Sequence, residues 1–147
     1  MDLEFYRLEE KDLPFFLEVR NCVSEKLHDS RQFTLQEAIE WLPKSTTQYW
    51  IIRHDLEKVG YFRLLKISDF TWQIGADIHP KFQNQGLASN AYPVFIDEIV
   101  RRIEPSPTLL ELRVLKDNVI AFSLYTKLGF VIEEITELDL KMTLNLD

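Results

Sequence analysis

Apolar and polar residues alternate along LEFYRL at residues 3–8, the period of a half-buried strand. Asp12 then offers an N-cap and Pro14 a first-turn proline for a helix running to about Val23. A polar stretch, Ser24 to Gln32, leads to a second, short helix. There Thr34 and Glu37 have the spacing of a capping box, Leu35, Ala38, Ile39 and Leu42 keep helical period, and Pro43 stops it. Three β-rich runs follow, QYWIIRH, VGYFRLLKI and FTWQIGADIH, separated by HDLEK and SD, and predict an antiparallel meander. Leu87, Ala91, Phe95 and Ile99 then recur every four residues, predicting a long helix packed on a sheet and ended by EPSP. LLELRVL predicts another strand, and Asp117 or Asn118 caps a helix with Ala121, Leu124, Tyr125 and Leu128 on one stripe. Gly129 is the natural stop of that helix, and two strands near 130–136 and 138–146 complete the order βααβββαβαββ.

Composition narrows this pattern to one class. The 147 residues fit a single domain over 1–147, and 46% hydrophobic with 12% aromatic residues makes it globular. Cys22 is the sole cysteine and cannot form an internal disulfide, and MDLEFYRLEE lacks the basic start and apolar run of a leader, so a cytoplasmic location is expected. No run approaches the roughly 20 apolar residues that span a bilayer, so no membrane partner is expected. A net charge of -7 argues against nucleic acid and favours a cationic substrate. Three scattered histidines lack ligand spacing, and no metal is expected.

The four glycines, at 60, 75, 86 and 129, each answer a local backbone demand. In ADIHPKFQNQGLA a strand ends, a loop turns and a helix opens at Gly86-Leu87-Ala88 with its first amides unpaired. Such a helix start binds an anion, and small residues at 86 and 88 let a diphosphate approach the main chain. Pro93 lies inside this helix and predicts a kink; the alternative is a helix that opens only at Ser89 or Asn90.

Gln83-Asn84-Gln85-Gly86-Leu87-Ala88 resembles the Q/R-x-x-G-x-G/A signature of the GNAT superfamily of acyl-CoA-dependent N-acetyltransferases. ADIHP precedes it, and DNVIAFSLYTKLGF is similar to that family's second motif, N-x-x-A-x-x-x-Y-x-x-x-G-F. The resemblance covers essentially the whole chain and implies an α/β (α+β) fold, with a mixed, mostly antiparallel sheet of about seven strands and four helices. It implies acetyl-CoA as co-substrate and a primary amine, on a small molecule or a protein N-terminus, as acceptor. The amides of Gln83, Asn84, Gln85, Gly86, Leu87 and Ala88 would hold the pyrophosphate. The main chain of Ala76, Asp77 and Ile78 would pair with the pantetheine arm. Gly75 would mark a bulge, Asn118 would contact the pantetheine, and Tyr125 would protonate the departing thiolate. Gln83 stands where many relatives carry arginine, and Lys81 is the basic residue nearby. FLEVRN and the Trp41-Leu42 helix end are similar to the branch of ribosomal-protein N-terminal and amino-sugar acetyltransferases.

The general base stays open among Glu111, Asp77 and His79, with a water relay as a further alternative. His28 and Arg31 fall in the loop that helps shape the acceptor site in relatives. Trp72, Phe70 and the last strand are candidate faces of a homodimer, each equally a candidate for the core. Two other classes remain: a non-catalytic acyl-CoA-binding sensor or interaction module, and a plain structural domain.

Overall fold

Thr34 Oγ1 accepts the N–H of Glu37 at 3.2 Å, and the Glu37 carboxylate accepts the N–H of Thr34 at 2.9 Å. This reciprocal cap starts the second helix of the computed structural model, which describes residues 2–24 and 27–147. The elements are β1 (Leu3–Arg7), α1 (Leu13–Cys22), α2 (Leu35–Trp41), β2 (Gln48–His54), β3 (Glu57–Lys66) and β4 (Thr71–Ile78). They continue as α3 (Leu87–Glu98), β5 (Leu109–Leu115), α4 (Val119–Lys127), β6 (Val131–Ile135) and β7 (Asp139–Asn145). Of the polar stretch between α1 and α2, Glu25 and Lys26 lie outside the described residues. The order among the described residues is the expected βααβββαβαββ.

The seven strands form a mixed sheet in the order β1-β2-β3-β4-β5-β7-β6. Pairs β1–β2, β2–β3, β5–β7 and β6–β7 are antiparallel. The pair β4–β5 is parallel and registers Thr71–Gln73 on Leu109–Glu111. The chain divides into two compact units, Met1–Leu64 with Gly75–Ala88, and Leu65–Ile74 with Ser89–Asp147.

In the first unit, α1 and α2 bury their apolar stripes against one face of β1–β3. Phe16 is the hub, its ring 5.0 Å from Tyr49, 4.7 Å from Tyr61 and 5.8 Å from Trp41. Leu13, Val19, Ile51 and Tyr61 beside it are fully buried. The β2–β3 turn is tighter than HDLEK suggests. Asp55 and Leu56 take left-handed φ of 49° and 71°, the two-residue geometry that suits the twist of a hairpin, and β3 begins directly at Glu57.

In the second unit, Ala91, Tyr92, Phe95 and Ile96 of α3 are buried, as are Leu110, Leu112 and Val114 of β5. The α4 end is a Schellman turn. Phe130 N–H donates to Tyr125 O at 3.0 Å and Gly129 N–H to Thr126 O at 3.1 Å, with Gly129 at φ +102°. Trp72, a candidate interface residue, is core, whereas Phe70 is exposed. No helix among the described residues is long and apolar enough to cross a membrane.

Asp12 precedes α1 but does not cap it through its side chain. Its fully buried carboxylate instead accepts the N–H of Glu9 at 2.9 Å and pairs with Lys58 Nζ at 2.7 Å. Burial alone would push this carboxyl up; the Lys58 ammonium and the Glu9 amide outweigh it and hold the carboxyl below its ordinary value. A depressed carboxylate stabilises the fold above the unfolded pKa of about 3.9 and loses that contribution as pH falls toward its folded value. Asp12→Asn is therefore expected to cost about 2 kcal/mol at neutral pH. It should also flatten the loss of stability below about pH 4, as read by denaturant midpoints across a pH series.

Candidate functional site

The exit of β4 is fixed by three local bonds. His79 N–H donates to Val59 O at 2.8 Å, Phe82 N–H closes a tight turn on His79 O at 2.8 Å, and Gln83 Nε2 donates to Ile78 O at 2.9 Å. The chain then passes through two left-handed residues, Asn84 at φ +64° and Gly86 at φ +74°. Asparagine tolerates that region and glycine enters it without steric cost. α3 opens at Leu87 rather than at Ser89 or Asn90. Pro93 therefore falls at the seventh helical residue, beyond the first turn whose N–H groups have no partner within the helix. Gln83 to Ala88 thus form a loop followed by a helix start, which offers backbone donors and the positive end of a helix dipole.

Strand β4 approaches β3 closely here. A Cβ on Gly60 would overlap Asp77 O and come 3.0 Å from the Cα of Ile78, so only glycine fits. Gly75 lies against a side chain of β3. A Cβ there would meet the Arg63 guanidinium at 2.5 Å, so the missing side chain makes room for Arg63 to cross the strand. Arg63 Nε lies 3.4 Å from Asp77 Oδ2, and the Asp77 side chain is 7% exposed. Register pairs Ile51 with Tyr61 and Tyr49 with Arg63, which sets these four side chains on one face. Burial pushes the Tyr61 phenol well above its ordinary value, and the Asp77 charge adds to the rise. Burial likewise raises Tyr49.

His79 follows directly. Its Nδ1 accepts the N–H of Lys81 at 3.0 Å, and its Nε2 lies 3.1 Å from Glu18 Oε1 on α1. The ring stacks on Phe15 at 6.4 Å and meets the edge of Phe82 at 6.2 Å. In the loop after α1, Arg31 grips Asp29 through Nε at 2.9 Å and Nη2 at 2.7 Å, and His28 is exposed. That fork holds the Asp29 carboxyl far below the usual carboxylate range.

In the second unit, Asn118 caps α4, its Oδ1 accepting the N–H of Ala121 at 3.3 Å. Tyr125 is half-buried, with its ring 5.8 Å from Tyr92 and 5.9 Å from Phe130. The Glu111 side chain is 13% exposed and sits 3.3 Å from Lys141 Nζ, whose ammonium this carboxylate raises. Among the described residues no group of three His, Cys, Asp or Glu could hold a metal ion.

Sequence reasoning passed over Arg63, Tyr61 and Glu18. Strand alternation could have put Tyr61 and Arg63 on one face. Nothing local could have tied Glu18 to His79, because that pairing exists only once α1 lies beside the end of β4.

Residues 2–131 match the family described as an acetyltransferase (GNAT) domain. A spermidine N-acetyltransferase from Vibrio cholerae, solved with CoA and spermine, shares the fold at TM-score 0.83 and 18% identity, covering 97% of this chain and 95% of that one. A ribosomal-protein-alanine N-acetyltransferase from Brucella melitensis does so at TM-score 0.77 and 18% identity, covering 97% and 99%. The yncA structure from Salmonella typhimurium, solved with its cofactor acetyl-CoA, has TM-score 0.77 and 18% identity over 99% and 94%. No curated protein matches the chain by sequence. The chain belongs to the GNAT acetyltransferase domain family.

Gly60→Ala should force β3 and β4 apart beside Asp77 and Ile78. The expected cost is about 2 kcal/mol, a fall in Tm of roughly 4–8 °C. Affinity for acetyl-CoA should weaken with it, as measured by calorimetric titration.

Proposed function

We propose that this chain transfers acetyl from acetyl-CoA to a primary amine, on a small molecule or a protein N-terminus, by direct attack of the amine on the thioester. The observation that carries this reading is the left-handed loop ahead of α3, in a chain that matches the GNAT domain over residues 2–131. The amides of Gln83, Asn84, Gln85, Gly86, Leu87 and Ala88 grip the coenzyme's diphosphate. The backbone of Ala76, Asp77 and Ile78, past the last registered pair with β5, adds the pantetheine arm as a strand. The Ile78 N–H donates to the carbonyl oxygen on which negative charge grows. Asn118 orients the pantetheine and Tyr125 hands its phenolic proton to the thiolate. His28 and Arg31 border the acceptor entrance, with Arg31 paired to Asp29. The relatives act on a polyamine and a ribosomal-protein alanine, and both kinds of amine belong in the acceptor panel. The same reading includes one domain across 1–147, a cytoplasmic location and a homodimer, with the exposed Phe70 or the last strand as its candidate face.

A second reading, a non-catalytic acyl-CoA sensor, draws support from Asp77 and Glu111. Each already lies against a cation, Arg63 or Lys141. Thermal shift separates both readings from a plain structural domain. Acetyl-CoA at a hundred times its Kd should stabilise the chain by about 2.7 kcal/mol. Thiol release on an amine panel then separates enzyme from sensor, since a sensor binds without turnover. Tyr125→Phe is expected to lower kcat by about 10²–10⁴-fold with acetyl-CoA affinity retained; unchanged turnover would remove Tyr125 from the acid role.

A further inference from the structure

We propose that Glu18 is the general base of the transfer and that His79 positions it; this rests on the acetyltransfer reading above. A base for this reaction needs a carboxylate with lone pairs left to accept, a place beside the strand end that carries the thioester, and access to water so that each captured proton can leave. Asp77 fails on two counts, being 7% exposed and paired with the permanent charge of Arg63. Glu111 is 13% exposed and paired with Lys141. Glu18 differs in both respects, since its side chain is 61% exposed and its partner is an imidazole.

The imidazole itself is locked. Lys81 N–H fills the Nδ1 lone pair at 3.0 Å, so the ring hydrogen sits on Nε2, facing Glu18 Oε1 at 3.1 Å. Phe15 and Phe82 hold the ring from two sides, and the His79 N–H is tied to Val59 O at 2.8 Å. His79 therefore has no lone pair left to act as a base. Its ring orients one oxygen of Glu18 and leaves Oε2 for the acceptor. Phe15 and Glu18, three residues apart on α1, both meet this ring, so the helix is registered on the residue that directly follows Ile78. The charged groups on the surrounding elements are Lys81 past the end of β4, the Arg63–Asp77 pair on β3 and β4, and the Asp12–Lys58 pair before α1 and on β3.

The protons balance. Glu18 takes one proton from the acceptor ammonium, and the freed nitrogen lone pair forms the new C–N bond as the C–S bond breaks. Tyr125 protonates the thiolate, and the second nitrogen proton replaces the Tyr125 proton through solvent. Glu18 then returns its proton to water, giving one net proton per turnover.

The test compares wild type, Glu18→Gln, Glu18→Asp and His79→Phe on the best amine of the panel. Glu18→Gln is expected to keep its thermal midpoint and its KM for acetyl-CoA and to lose about 10²–10⁴-fold in kcat at neutral pH. That loss should shrink as pH rises toward the amine's own pKa, because an already neutral amine needs no base. Glu18→Asp should restore part of the rate. His79→Phe keeps a ring against Phe15 without the Nε2 hydrogen, and should lower kcat by less than Glu18→Gln does. Equal turnover by wild type and Glu18→Gln, or a deficit that persists unchanged at high pH, overturns the assignment of Glu18 alone. A wild type that binds acetyl-CoA but acetylates no amine overturns the transfer reading and this assignment together.

Discussion

The chain leaving β4 reverses into α3 within a few residues, and it passes twice through left-handed backbone to do so. Asn84 and Gly86 take those conformations at φ +64° and +74°. A β-branched residue at either position would be strained. The same reversal puts the first turn of α3 at Leu87, where backbone donors and helix dipole favour a negative ligand. Gln83 braces the reversal from within by donating to Ile78 O, so the loop is tied to the strand it has just left. With Gly60 admitting β4 against β3, backbone rather than side chains governs this region.

Carboxylates of one type are made chemically distinct by their neighbours. Asp12 is buried against Lys58 and stabilises the fold. Asp77 lies under Arg63 and charges the surroundings of Tyr61, which raises that phenol further. Asp29 is clasped by Arg31 and fixes the loop after α1. Glu18 alone of these four faces an imidazole N–H and water together. A guanidinium or ammonium favours the ionised form and weakens a base, whereas a neutral N–H orients one oxygen and leaves the other available.

The secondary structure was legible in the sequence because its signals are local. Thr34 with Glu37, Asn118 before Ala121 and Gly129 after Leu128 each act within a few residues, and each cap forms where its spacing required. LLELRVL is β5 residue for residue. Local signals failed where a distant partner intervened. Asp12 has the type and place of an N-cap, yet its carboxylate turns to Lys58, which the β2–β3 hairpin delivers. Gly75 likewise accommodates the side chain of Arg63 from the neighbouring strand, a contact that no local signal carries.

By itself the sequence determined the order of strands and helices, the loop that turns into α3 and the family. All of these follow from backbone propensities and motif spacings a few residues long. Tertiary structure alone decided which charged groups are neutralised and which remain available. A carboxylate's chemistry depends on the nearest cation, hydrogen-bond donor and water, and those are set by the packing of residues far apart in the chain.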